Sequence, residues 1–213
     1  MLPIKLDKPK DYFKNNIHKI ISDYHSKVMA NINDTQDKMN DFTNDHHLVY
    51  ELFYAKKEIE LMEMYHNRAR IISTNAGRIF DTVIKFIIQD IEGGESEYID
   101  NPGSHPSRFE IDILNHDKKL AYEVKWRDAG TDGDHTNKEF RKVDLLVQQG
   151  YTPIRLTFFM PELERSLKAQ TKIINYYDEH GKTYTQDKAF EYINQMANIC
   201  LLYTSPSPRD HWR

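Results

Sequence analysis

Cysteine is nearly absent: Cys200 is the only one in 213 residues. A lone thiol builds no disulfide framework, which fits a reducing cytoplasm. Long apolar runs are also missing. The richest stretch, Ile84–Ile91, is broken by Lys85, Gln89 and Asp90, and nothing resembles a signal peptide, so no membrane partner is expected. There is no excess of positive charge. Against 33 Asp and Glu stand 29 Lys and Arg, a formal net charge of −4. That argues against a nonspecific nucleic-acid coat, but not against an acidic metal site with basic residues clustered nearby. No Gly-rich phosphate loop, Cys/His zinc set, Ser-His-Asp order or internal repeat stands out. Trp126 and the tyrosines do not interleave with basic residues, so a single-strand stacking platform is not indicated. The length allows a substantial core, as one domain or one domain with a helical extension.

What is present is an alternating pair of short runs. Arg108-Phe109-Glu110-Ile111-Asp112 is followed, after a polar turn, by Tyr122-Glu123-Val124-Lys125-Trp126. Alternation of apolar and polar residues marks half-buried strands. Phe109, Ile111 and Ile113 point one way, and Arg108, Glu110 and Asp112 the other. Tyr122, Val124 and Trp126 likewise oppose Ala121, Glu123 and Lys125. If the hairpin closes with His116 and Asp117 at its tip, Glu110 faces Glu123 and Asp112 faces Ala121. Asp112 and Glu123 are then diagonal neighbours, roughly 7–8 Å apart backbone to backbone. Like charges facing each other destabilise a sheet, so Glu110, Asp112 and Glu123 on one face call for a counter-ion such as Mg²⁺. Lys125 beside them suits a phosphate or a water. The plainer alternative is an exposed hairpin face of mixed charge, since acid-x-Lys alone is common on strands.

This layout resembles the PD-(D/E)xK nuclease superfamily, over Ser73 to Phe159. Within it, Phe109–Glu139, and Tyr122–His135 above all, resembles the ApaLI-like type II restriction endonucleases. The proline of the superfamily's name is absent, since Ile111 precedes Asp112. The resemblance implies a Mg²⁺-dependent endonuclease acting on double-stranded DNA, with Mn²⁺ able to substitute. It assigns catalysis to Asp112, Glu123 and Lys125, and the metal to Asp112, Glu123 and the Val124 backbone carbonyl. Asp81 and Glu110 are further metal candidates, each with a plain alternative as a solvated surface residue. The family's namesake cuts the palindrome GTGCAC, which makes that sequence the first target to consider. Two-strand cleavage at a palindrome is most simply met by a homodimer. Rival expectations are another superfamily nuclease in repair, recombination or defence, and a catalytically silent DNA-binding protein on the same fold.

The expected fold is α/β: a restriction-endonuclease-like core in the order αβββαβ, a mixed sheet flanked by helices, with an N-terminal helical extension. Residues 1–72 form the extension. There Phe13, Ile17, Ile20, Tyr24, Val28 and Ile32 recur at helical spacing, as do Leu48, Leu52, Ala55, Ile59, Met62, His66 and Ala69. The second stripe packs on the core or serves a dimer, with His66 as a packed or interface histidine. Residues 73–199 form the nuclease core and a helical tail. Ser73-Thr74-Asn75 caps a helix that Gly93-Gly94 ends. A short strand at Glu97–Asp100, the hairpin, a helix over Lys138–Gln149 and a strand over Thr152–Phe159 follow, and then helix beyond Pro161. Residues 200–213 break the helical pattern and look like a translated sequencing adapter, which would leave the natural C-terminus missing; the alternative is a natural Ser/Pro tail.

Asp128–Glu139 approaches a calcium-loop pattern, but its third position is Gly130, its eighth is His135, and a strand precedes it, so EF-hand binding is not the expectation. The family resemblance instead puts a DNA-facing loop here, with Arg127, Thr131, His135, Lys138 and Arg141 on phosphates or base edges. An ordinary solvated loop is the competing expectation.

Overall fold

A computed structural model describes residues 11–40, 56–103, 105–127 and 133–197. The chain divides into two compact units, residues 15–80 and residues 81–213 together with 1–14.

The described residues of the first unit, 15–40 and 56–80, are helical. Helix α1 (Tyr12–Asn40) turns the expected stripe inward, with Ile17 buried and Ile20, Tyr24, Val28 and Ile32 half-buried. The second stripe is corrected in part. Helix α2 (Lys56–Glu92) runs unbroken through Ser73-Thr74-Asn75, which were expected to start a new helix. No proline interrupts it. Asn75 satisfies its side chain by donating Nδ2 to the Ile71 carbonyl at 2.8 Å, one turn back, instead of capping. The half-buried side of α2 passes through Met64, Asn67, Arg68, Ile71 and Asn75, whereas His66 and Ala69 are exposed. Leu48, Leu52 and Ala55 lie outside the described residues.

The other unit is a mixed five-stranded sheet flanked by helices. Its elements are β1 (Glu95–Asp100), β2 (Arg108–Asn115), β3 (Leu120–Arg127), α3 (Gly133–Gln148), β4 (Thr152–Phe159), α4 (Glu164–His180), β5 (Lys182–Thr185) and α5 (Asp187–Ala197). The spatial order is β1-β2-β3-β4-β5. The pairs β1–β2 and β2–β3 are antiparallel, while β3–β4 and β4–β5 are parallel, joined by α3 and α4 as crossovers. Strand β5 was not expected, because the segment after Pro161 reads as helix throughout. No described helix is long and apolar enough to cross a membrane.

Two local devices set the geometry of β2. Gly93 and Gly94 end α2 with φ of 80° and 93°. A Cβ on Gly94 would lie 2.7 Å from the Leu114 carbonyl oxygen, so only glycine lets the chain pass β2 this closely. Further along, Glu97 pairs with Ile111 and Glu95 with Leu114, so β2 carries one extra residue, a β-bulge, around Asp112 and Ile113. Ile111 and Leu114 consequently share one core cluster with Phe109, Ala121, Leu145 and Leu146 despite their odd spacing.

The hairpin register differs from the expectation. Asn115 pairs with Leu120, Leu114 with Ala121 and Ile113 with Tyr122, two residues away from the predicted pairing. The turn takes four residues, His116–Lys119, instead of two. Asn115 Oδ1 accepts the Lys118 N–H at 2.8 Å, and Lys119 adopts φ 53°, which together close the wider turn. Continuing this register by one step sets Asp112 opposite Glu123, and Glu110 no longer faces Glu123.

Candidate active site

Strand alternation sends Glu123 and Lys125 to one face of β3, and the bulge places Asp112 beside them. Both acids are buried, with Asp112 9 % and Glu123 4 % exposed. The β2–β3 ladder stops at Ile113–Tyr122, so the next N–H on β3, that of Val124, has no strand partner on β2. It donates instead to Asp112 Oδ2 at 2.8 Å. The other Asp112 oxygen, Oδ1, is ion-paired with Lys85 of α2. Glu123 is held at both oxygens, Oε1 by Lys125 Nζ at 2.6 Å and Oε2 by Lys142 Nζ at 3.1 Å.

The network continues inward. Lys142 also pairs with Glu139 Oε1 at 3.2 Å, one turn away on α3. Glu139 Oε2 accepts from Arg155 Nη1 at 3.0 Å and from the Tyr177 hydroxyl at 3.3 Å. Arg155, fully buried in β4, donates Nη2 to Gln170 Oε1 at 3.2 Å and lies over the Tyr177 ring. Cations and carboxylates thus alternate from Lys125 through Glu123, Lys142 and Glu139 to Arg155. Buried charges persist only when paired and hydrogen-bonded in this way.

The two acids are driven apart electrostatically. Burial and the neighbouring Glu123 charge push Asp112 above the usual carboxylate range, against the pull of Lys125 and Lys85. Glu123 goes the other way: burial opposes its charge, but Lys125, Lys142 and Arg155 outweigh burial and hold it well below its ordinary value. Burial likewise opposes the charge on Lys125 and Lys142. Their carboxylate partners overcome it and keep both ammoniums protonated well beyond the ordinary lysine range.

Asp81 reaches the same region from α2, where its Oδ1 accepts the Trp126 N–H at 3.2 Å. Burial raises it to about 6, with Lys125 opposing and Asp112 adding to the rise. Glu110 does not join. It is exposed, pairs across to Tyr98 of β1, and accepts from Ser96 Oγ at 3.3 Å. Among the described residues no three His, Cys, Asp or Glu side chains are arranged to hold a metal ion. Mg²⁺ does not require such a cage, since it commonly binds through one or two carboxylates and completes its shell with waters and substrate phosphate. Asp112 and Glu123 supply hard oxygen donors of that kind, and a cation between them would offset the Glu123 repulsion that adds to burial in raising Asp112. The donor set fits the ion, which would compete there with Lys85 and Lys125.

The DNA-facing candidates are dispersed. Arg127 is exposed at the end of β3, and Thr131 lies outside the described residues. His135 and Lys138 sit on α3, which begins at Gly133, five residues earlier than expected, and not on a loop. The helix also occupies the last part of the would-be calcium loop. Lys138 pairs with Asp134 at 2.5 Å, and Arg141 donates Nε to Asn101 Oδ1 at 3.2 Å.

Lys85, Glu139, Lys142 and Arg155 were not picked out from the sequence, although signals existed. Asp81 and Lys85 are four apart on one helix, and Glu139 and Lys142 three apart on another, so each pair shares a face. Arg155 is a charge set between Ile154 and Leu156 on a strand buried along most of its length, where an unpaired charge is not tolerated.

No curated protein and no solved structure matches the chain. The model of one protein family does match, over residues 9–204, which takes in the whole candidate site. With nearly its entire length accounted for in this way, the chain belongs to the ApaLI-like restriction endonuclease family.

Proposed function

We propose that this protein is a type II restriction endonuclease that hydrolyses double-stranded DNA at a short palindrome in the cytoplasm, with Mg²⁺ as cofactor. The observation that carries this is the Asp112–Glu123 pair, buried on adjacent strands with Lys125 on Glu123. Asp112, Glu123 and the Val124 carbonyl are the residues to hold the ion. A divalent cation held there would polarise the scissile phosphate and make a bound water more acidic. Asp112 is fixed for the task by the Val124 N–H, and Glu123 by its two lysines. Lys125, on Glu123 and partly exposed, is placed to orient or help deprotonate that water and to offset developing negative charge. Asp81 supports the β3 end of the site through the Trp126 N–H. Arg127, Thr131, His135, Lys138 and Arg141 are proposed to contact DNA, with Lys138 and Arg141 exchanging their protein partners for phosphate.

Incubation of the protein with plasmid DNA and Mg²⁺, followed by mapping of the ends, tests this. Discrete fragments are expected, with GTGCAC the first site to examine. A smear would indicate a nonspecific nuclease, and intact DNA with retained binding a silent member of the family.

A further inference from the structure

The two lysines on Glu123 are not equivalent. Lys125 has 31 % of its side chain exposed and pairs with Oε1; Lys142 has 9 % exposed and pairs with Oε2. Glu123 is the main carboxylate partner of Lys125, whereas Lys142 is also locked by Glu139, which Arg155 and Tyr177 hold in turn. Lys125 is therefore the partner that can exchange, and Lys142 the one that stays.

We infer that Lys142 is a positioning residue: anchored by Glu139 and Arg155, it fixes Glu123 through Oε2 and so presents Oε1 to a divalent cation while Lys125 moves to the substrate. This rests on the nuclease reading for the identity of the reaction, but the claim about cation binding is separate from it. A carboxylate ligand held by an outer partner is oriented before the ion arrives, and loss of such a partner commonly weakens metal affinity by about 10–100-fold. Plain electrostatics predicts the opposite sign. Removing one positive charge beside a cation site should tighten cation binding, so the direction of the effect separates positioning from mere charge.

The test titrates Mn²⁺ into DNA-free protein, reading free ion by electron paramagnetic resonance, for the native chain, Lys142→Met, Lys142→Arg and Glu139→Gln. The expected result is a loss of affinity of about tenfold or more in Lys142→Met. Recovery to within about threefold of native is expected in Lys142→Arg, which keeps a cationic donor, and an intermediate loss in Glu139→Gln, which loosens the anchor. Thermal melts accompany each variant. If Lys142→Met does not fold, the Glu139→Gln arm decides. Unchanged or tighter Mn²⁺ binding in a folded Lys142→Met or Glu139→Gln variant would overturn the proposal, as would a native protein that binds no Mn²⁺. A native protein that binds Mn²⁺ in this pattern yet cuts no DNA would remove the nuclease reading and leave the positioning role standing.

Discussion

Val124 donates its backbone N–H to Asp112 Oδ2 at 2.8 Å, at the point where strand pairing between β2 and β3 ends. The opening of the ladder and the placement of the carboxylate are one event. A strand N–H freed from its neighbour needs an acceptor when buried, and Asp112 is that acceptor. In an extended strand the N–H and C=O of one residue leave by the same edge, so the Val124 carbonyl faces the same region as the carboxylate it anchors.

Substitution at the three central positions should stop cleavage, but not with equal structural consequence. Asp112→Asn and Lys125→Ala are expected to lower the single-turnover rate by roughly 10²–10³-fold or more. Lys125→Ala should still retard duplex DNA in a gel. The hairpin alone suggests an exposed polar face on which such changes leave the fold intact. Glu123 is instead buried between two ammoniums, and Glu123→Ala strands both. A stability loss on the order of 3–5 kcal/mol is expected in urea melts, and a smaller one for Glu123→Gln. Full cutting activity in any of the three positions would refute the assigned site.

Cleavage should require a hard divalent ion. Mg²⁺ and Mn²⁺ are expected to support it, excess EDTA to abolish it, and Ca²⁺ to allow DNA binding without turnover. The readout is plasmid nicking and linearisation alongside a gel-shift assay. Cutting that persists in EDTA would place the chemistry elsewhere.

Asp81 carries a pH signature. Its value rises from 3.8 to about 6, chiefly through burial. The folded chain thus holds this proton more tightly than the unfolded chain, and the associated stability is complete below 3.8 and lost as pH climbs through about 6. Asp81→Asn keeps an oxygen for the Trp126 N–H and removes the ionisation. It should be more stable than the native chain at pH 7–8, with the difference closing towards pH 4. Denaturant melts across that range would show it, and a variant less stable than native at pH 8 would contradict the account.

A dimer on symmetric DNA is the expected working form. The described part of α2 leaves Leu61, Tyr65 and Ile72 about half or more exposed, which suits a helical contact between copies. Sedimentation with and without a short palindromic duplex should show two chains per duplex. Clean double-strand cuts by a species that stays monomeric on DNA would rule the dimer out, while the nuclease reading would survive.

Much of this architecture could be read from residues alone. Alternation located β2, β3 and β4 because each has a buried face, and it put Glu123 and Lys125 together. The register slipped by two because the closing interaction is a side chain, Asn115 Oδ1 on the Lys118 N–H, which no alternation pattern reports. Strand β5, Lys182–Thr185, is four largely polar residues that pair with β4, a tertiary event with little local signal. Lys85 and Lys142 were hidden for a related reason. Helical spacing gives their faces, but only the packing of α2 and α3 in this unit brings them to Asp112 and Glu123.

The extra residue in β2 gives that strand a phase slip: upstream and downstream of it, inward and outward positions are counted on different beats. Phe109 and Ile111 face the core on one beat, Leu114 on the other, and Asp112 falls at the slip itself. Shortening β2 by one residue there would bring β1 and β2 into uniform step, and the acid would lose the place that the slip gives it. Changes of length between homologous hairpins of this kind should therefore gather in the His116–Lys119 turn and leave the count from Phe109 to Leu114 untouched.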